Sequence, residues 1–103
     1  MTMRKISFDS MAWESPMPGL RFRALRQGGQ QLRMVEYTPE MELHWCEKGH
    51  VGLVLEGEFE IEFPDETLRY GAGEGVFIPS GHADRHRGRA LTDRVKVVFV
   101  EEG

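Results

Sequence analysis

The chain has 103 residues, of which 40% are hydrophobic and 29% are charged, and its formal net charge is −4. This length suits one compact domain, and the apolar content is enough for a buried core, which excludes a largely disordered chain. The arginines are scattered among acidic residues without a basic block, which argues against a nucleic-acid-binding surface.

Cysteine use and the length of the apolar runs indicate where the protein works. Cys46 is the only cysteine, so no disulfide can form within the chain, and no N-terminal apolar stretch resembles a secretion signal. No apolar run approaches the roughly 20 residues that cross a bilayer. We therefore expect a cytoplasmic protein without a membrane partner.

The first part of the chain shows the alternation of apolar and polar residues that is typical of strands. Residues 20–24 alternate apolar and basic side chains, as a half-buried strand does. The Gly28-Gly29 pair links them to a second strand at residues 32–37. The Ser-Pro-Met-Pro-Gly segment at residues 15–19 indicates irregular structure instead.

The second part contains the clearest strand and two strands that are apolar on both faces. Residues 58–63 place three apolar side chains on one face and three glutamates on the other. Residues 51–55 and 95–100 are apolar on both faces apart from Lys96, which indicates cover on two sides. A second copy of the chain can supply this cover, so we expect a homodimer.

Glycine and proline residues separate these runs at short, even intervals. Gly57 ends one strand, Pro64-Asp65 ends the next, and three glycines precede the apolar run at residues 76–79. Many short strands with this punctuation predict an all-β sandwich or barrel. We predict a single domain over residues 1–103, with the N-terminal segment 1–19 packed on the barrel.

All four histidines and the cysteine fall in two short segments, on either side of a predicted β-hairpin. The first segment holds His44, Cys46 and His50, and the second holds His82 and His86. Side chains that bind metals or transfer protons are seldom gathered this closely by chance in so small a domain.

The first segment resembles a motif of the cupin family of small β-barrels, which have the double-stranded β-helix or jelly-roll fold. In that motif two histidines separated by one residue are followed by a glutamate and then by a glycine. His44, Cys46, His50 and Gly57 stand at these four positions, and residues 54–58 resemble the family's usual sequence.

The second segment resembles the other cupin motif. Gly73, Pro79 and Gly81 match it at the right spacing, Asp84 stands at its histidine, and Gly88 stands at its final asparagine. The likeness implies a cupin barrel. It also implies a metal site at the positions of the family's three histidines and glutamate.

The resemblance covers most of the chain, about residues 32–100. It leaves two candidates for the fourth metal ligand. Asp84 occupies the family position, and His86 lies two residues later, so that in an extended strand both face the same way. His82 shares this face but follows a turn directly, which favours His86 over it. The predicted ligands are His44, Cys46 and His50, with Asp84 or His86 as the fourth.

These residue types limit the metal that the site would hold. Only His44 keeps the family's residue, but cysteine, histidine and aspartate can all bind transition metals. Mixed nitrogen and sulfur ligands suit zinc first, with iron(II), nickel or copper as alternatives. Calcium or magnesium would require more oxygen ligands.

Two functions are consistent with such a barrel. In the first, the protein holds one divalent transition metal and a small organic ligand, and as an enzyme it would be of the dioxygenase, isomerase or lyase type. Whichever of Asp84 and His86 does not bind the metal would then be the candidate general base. In the second, it binds or senses a small molecule without turnover. An open coordination position would favour the enzyme, and a saturated one the binding module.

Overall fold

The computed structural model describes residues 2–102, which form one turn of 3-10 helix at Phe8–Ser10 and nine β-strands. No helix among these residues is long and apolar enough to span a membrane. The strands are β1 (Glu14–Met17), β2 (Leu20–Gln27), β3 (Gln30–Tyr37), β4 (His50–Glu56), β5 (Glu58–Glu62), β6 (Thr67–Gly71), β7 (Gly75–Ile78), β8 (Arg87–Ala90) and β9 (Val95–Glu102).

The strands form two antiparallel sheets with the hydrophobic core between them. The larger sheet has the order β1-β2-β3-β9-β4-β7, and the smaller one has the order β6-β5-β8. Phe99 and Val54 from the larger sheet pack in one cluster with Phe59 and Ile61 from the smaller sheet. The all-β prediction is therefore confirmed, and the cluster joins the sheets into one body.

Alternation in β5 determines which face of the smaller sheet is buried. Phe59 and Ile61 are each 4% exposed, as the sequence pattern predicted. The glutamates that alternate with them face outward and form ion pairs across β5 and β8, at 3.0 Å for Glu62 with Arg87 and 3.1 Å for Glu60 with Arg89.

The prediction of irregular structure at residues 15–19 is wrong in part, because Glu14–Met17 forms the edge strand β1. Only two residue pairs join it to β2, with an irregularity between them, so no regular alternation marks it in the sequence. The turn after it requires glycine: Gly19 has φ of 80°, and a Cβ there would lie 2.2 Å from the backbone nitrogen of Met41.

The ends of strands β4, β8 and β9 meet at one end of the barrel. His50 is the first residue of β4, Glu101 is near the end of β9, and His86 directly precedes β8. An isolated antiparallel bridge joins the loop before β4 to the residue before β8. In this bridge the Cys46 amide donates to the His86 carbonyl at 2.8 Å, and the His86 amide donates to the Cys46 carbonyl at 2.9 Å.

Candidate metal centre

Three side chains, Cys46, His50 and His86, converge at this end of the barrel. One donor atom from each lies within 4.8 Å of the other two. Zinc bonds of about 2.0–2.3 Å in a tetrahedron place ligand atoms about 3.3–3.8 Å apart, so small side-chain movements would bring all three to one ion. Cys46 and His50 lie in one stretch of backbone and His86 in another far along the chain, which is typical of a site formed only in the folded state.

Between Cys46 and His50 the chain passes close to the end of β7 and the residues that follow it. A Cβ on Gly49 would lie 2.5 Å from the carbonyl oxygen of Ile78, so only glycine fits here without displacing backbone. The Gly49 amide donates a hydrogen bond to the Ser80 hydroxyl at 2.8 Å. These contacts fix the position from which His50 enters the site.

The imidazole of His86 is held in the tautomer that can bind a metal. Its Nδ1 lies 3.0 Å from the carbonyl oxygen of Asp84, and because a carbonyl only accepts, Nδ1 carries the proton. The remaining nitrogen, Nε2, is buried and has no hydrogen-bond partner among residues 2–102. Leaving a buried polar atom unpaired costs about 1–3 kcal/mol, which a bond to a metal would offset.

Burial also affects the charge of this imidazole. His86 is 6% exposed. Burial lowers its pKa below the ordinary value, while the hydrogen bond to the Asp84 backbone opposes this effect. His86 is therefore neutral at pH 7, and neutral imidazole is the form that coordinates metals.

His50 is oriented by a buried carboxylate. Its Nδ1 lies 2.5 Å from Oε2 of Glu101, a side chain with no exposed surface. The same carboxylate accepts hydrogen bonds from Arg33 and Gln31, each at 2.8 Å. Nδ1 of His50 therefore carries the proton and donates this hydrogen bond. Nε2 is the nitrogen that remains available to bind a metal together with Cys46 and His86.

Glu101 is ionised in spite of its position. Burial alone would raise its pKa, but the hydrogen bond from His50 and the charge of Arg33 outweigh that effect and hold the pKa at about 2. A charged carboxylate behind a metal-binding histidine makes the imidazole a stronger ligand. The network thus holds the His50 imidazole in one orientation.

A cavity of about 200 Å³ adjoins the three donors. Apolar side chains form much of its wall, among them Phe59, Ile61 and Met41. Tyr37 also lines it, and burial raises the pKa of this phenol to about 12, so that its hydroxyl remains a hydrogen-bond donor at pH 7. A small ligand could therefore contact the donors and an apolar wall together.

Two of the predicted ligands lie outside the group of three. His44 lines the cavity, but it is exposed, and its Nδ1 is 3.2 Å from the carbonyl of Glu42. Asp84 contributes its backbone carbonyl to His86, and its side chain is not among those that line the cavity. The ligand set of His44, Cys46 and His50 with Asp84 or His86 stays a prediction, and of these residues the structure brings Cys46, His50 and His86 together.

The prediction that residues 82–86 form an extended strand is wrong. Residues 82–85 form a turn, closed by a 3.2 Å hydrogen bond from the Arg85 amide to the His82 carbonyl. Three side chains at alternate positions therefore do not share one face. His82 points away and its Nδ1 lies 3.0 Å from the exposed carboxylate of Glu47, whereas His86 enters the barrel.

The buried network behind His50 was not predicted from the sequence. Its signal was a glutamate at the end of an apolar face, because Val95, Val97, Phe99 and Glu101 alternate along β9 and are all buried. A carboxylate in such a position requires partners. They come from β3 and β4, far away in the sequence.

Comparison with known families identifies the protein's relatives. The family model described as the Cupin domain matches residues 33–101. The chain belongs to the cupin family. Comparison with curated proteins gives no match.

Solved cupin structures confirm the predicted jelly-roll fold. A cupin-2 domain-containing protein from Shewanella frigidimarina is 26% identical, with a TM-score of 0.65 over 80% of this chain and 79% of its own. The polyketide cyclase RemF from Streptomyces resistomycificus is 25% identical, with a TM-score of 0.76 over 98% of this chain and 80% of its own. KdgF from Halomonas sp. shares the fold at 20% identity, with a TM-score of 0.77 over 99% of this chain and 96% of its own.

Proposed function

We propose that this cupin binds one divalent transition metal through Cys46, His50 and His86, and a small organic ligand in the adjoining cavity. The observation that supports this most is the buried, unpartnered Nε2 of His86, which lies within the group of three donors. Two imidazole nitrogens and a thiolate suit zinc first, with iron(II), nickel or copper as alternatives. A free thiol in the site also suits a reducing, cytoplasmic setting.

Each residue of the site has a distinct part in this proposal. A bound ion would supply Lewis-acid polarisation of the ligand or activation of a water molecule. Glu101 and the carbonyl of Asp84 hold the two imidazoles with Nε2 free. Tyr37 offers a hydroxyl donor to the ligand, and His44, which lines the cavity outside the group of three, is placed to exchange a proton with it.

The number of protein donors distinguishes an enzyme from a binding module. Three donors leave one position of a four-coordinate ion for water or substrate, which is the arrangement typical of catalytic sites and favours a dioxygenase, isomerase or lyase. If His44 turns inward as a fourth ligand, the site is closed. The second proposal, a non-catalytic module that binds or senses a small molecule, would then be favoured.

Metal content tests the proposed function directly. Purified protein, equilibrated with a zinc salt and freed of unbound ions, is expected to retain one zinc per chain by elemental analysis. The Cys46→Ala variant is expected to retain much less after the same treatment. Wild-type protein that retains no ion after exposure to zinc, iron(II), nickel or copper would contradict metal binding.

We further propose a homodimer formed through the outer face of the larger sheet. Val51 pairs with Phe77 on one side and with Val100 on the other, so the three form a row across β7, β4 and β9. They are 43%, 77% and 47% exposed, and Leu53 beside them is 41% exposed. An apolar face of this kind favours association, and a two-fold dimer is the commonest way for identical chains to cover it.

A charge at Phe77, the most exposed residue of this row at 77%, is expected to separate the dimer. In sedimentation velocity the wild type should be a dimer, and Phe77→Glu should be a monomer, because two unpaired carboxylates would be buried at the contact. Leu68→Glu is the matched control, since Leu68 is 39% exposed but lies on β6 in the other sheet. A monomeric wild type, or a dimeric Phe77→Glu, would exclude this interface.

A further inference from the structure

Basic residues line the cavity, and no acidic residue among residues 2–102 lines it. The basic residues are Arg33, Lys48, Arg87 and Arg89. The whole chain has the opposite balance, with 17 acidic and 13 basic residues. A positive cavity in a negative protein is a local feature that must come from the placement of particular side chains.

Two of the four cations are already neutralised by neighbours. The guanidinium of Arg87 is 3.0 Å from Glu62, and that of Arg89 is 3.1 Å from Glu60. Both pairs lie on the outward face of the smaller sheet, so these arginines contribute little charge to the interior. The remaining positive charge is on Arg33 and Lys48.

Arg33 and Lys48 share a single carboxylate. Arg33 donates to Glu101 at 2.8 Å, and the ammonium of Lys48 is 4.0 Å from the other oxygen of Glu101. Two cations against one anion leave one positive charge in excess beside the cavity. Arg33 is only 15% exposed at its side chain, and its Nε is buried without a hydrogen-bond partner in the described part of the chain.

The rest of the cavity wall restricts the body of the ligand. Leu20, Phe59, Ile61 and Val76 contribute apolar surface, and the volume is about 200 Å³. A ligand of this size holds few atoms, so one charged group and a short apolar part would fill it.

We propose that the ligand of this cavity is a small organic anion, such as a carboxylate with a short apolar body. This inference rests on the proposed ligand-binding function and names its ligand class. The anionic group would lie toward Arg33 and Lys48, and the apolar part would lie against Phe59 and Ile61.

The sole cysteine allows a test that needs neither the natural ligand nor a metal. Cys46 lines the cavity, and iodoacetate and iodoacetamide alkylate a thiolate by the same reaction. The thiolate supplies the electron pair for a new S–C bond, and the C–I bond breaks to release iodide. The two reagents have nearly the same size and differ in charge.

The measurement is the ratio of the iodoacetate rate to the iodoacetamide rate, in metal-free folded protein and in the urea-unfolded chain. At low salt the folded protein is expected to show a ratio about tenfold higher, the low end for steering into a charged cleft. The excess should decrease as added salt shortens the screening length. It should also fall in Lys48→Gln, whose side chain is 51% exposed in the wild type.

The matched control is Lys5→Gln, because Lys5 is exposed and does not line the cavity, so this variant should keep the wild-type ratio. A folded ratio equal to or below the unfolded one would overturn the anion preference. Failure of both reagents to react with folded protein would also overturn it, since small molecules would not reach the cavity. The measurement uses metal-free protein, so it can be interpreted even if the protein is found not to bind zinc. If the protein binds zinc but the folded and unfolded ratios are equal, only the proposed anionic ligand is rejected.

Discussion

Replacing His86 with alanine is expected to lower zinc affinity by more than about 100-fold. The change removes one of three protein donors, whereas replacing a residue that only orients a ligand typically costs about 10–100-fold. Glu101→Gln belongs to the second class, because it leaves a neutral acceptor for Nδ1 of His50 but removes the charge. A competition titration with a chromophoric zinc chelator measures both variants.

The control for this series is His82→Ala. His82 is an exposed histidine only four positions from His86, and it pairs with Glu47 outside the group of three donors. Its affinity for zinc should match that of the wild type, and circular dichroism should show that all three variants are folded. A His86→Ala protein that binds zinc as tightly as the wild type would remove His86 from the site.

The second large effect is expected at Gly52, where alanine should lower the free energy of unfolding by about 3 kcal/mol or more. A Cβ on Gly52 would lie 2.0 Å from the carbonyl oxygen of Val98 and 2.8 Å from the ring of Phe99. Backbone at that distance cannot yield as a side chain can, so β4 and β9 would have to separate. Since His50 begins β4, zinc affinity should fall as well.

Gly75→Ala is the matched control for Gly52→Ala. Gly75 lies on β7 next to β4, and the nearest atom to its added Cβ would be 3.7 Å away, an ordinary contact. Its unfolding free energy should change by less than about 1 kcal/mol. Urea denaturation compares the two variants, and equal stability of Gly52→Ala and the wild type would contradict the pairing of β4 with β9.

The sequence predicted strands well where alternation reflects a half-buried sheet. In β5, Phe59 and Ile61 face the core between outward glutamates, so the period of two is visible without any structure. It failed at β1, where two residue pairs and an irregularity leave no period to detect. It failed again at residues 82–85, where hydrogen bonding closes a turn in place of a strand.

The site was predictable only as far as local spacing extends. The motif positions of Cys46 and His50 are visible in the sequence, whereas the placement of His86 beside them depends on the turn at residues 82–85 and on the bridge between Cys46 and His86. The contact of His50 with Glu101 spans 51 positions. No local pattern contains such a contact, because it follows from the pairing of β4 with β9.

X-ray absorption at the zinc edge of the zinc-loaded protein tests the convergence of Cys46, His50 and His86 most directly. The expected coordination sphere has one sulfur at about 2.3 Å and nitrogen or oxygen neighbours at about 2.0–2.1 Å, two of them with the outer scattering of imidazole. The sulfur contribution should disappear in Cys46→Ala. A wild-type spectrum with only nitrogen and oxygen neighbours, or without imidazole scattering, would contradict a centre built from these three side chains.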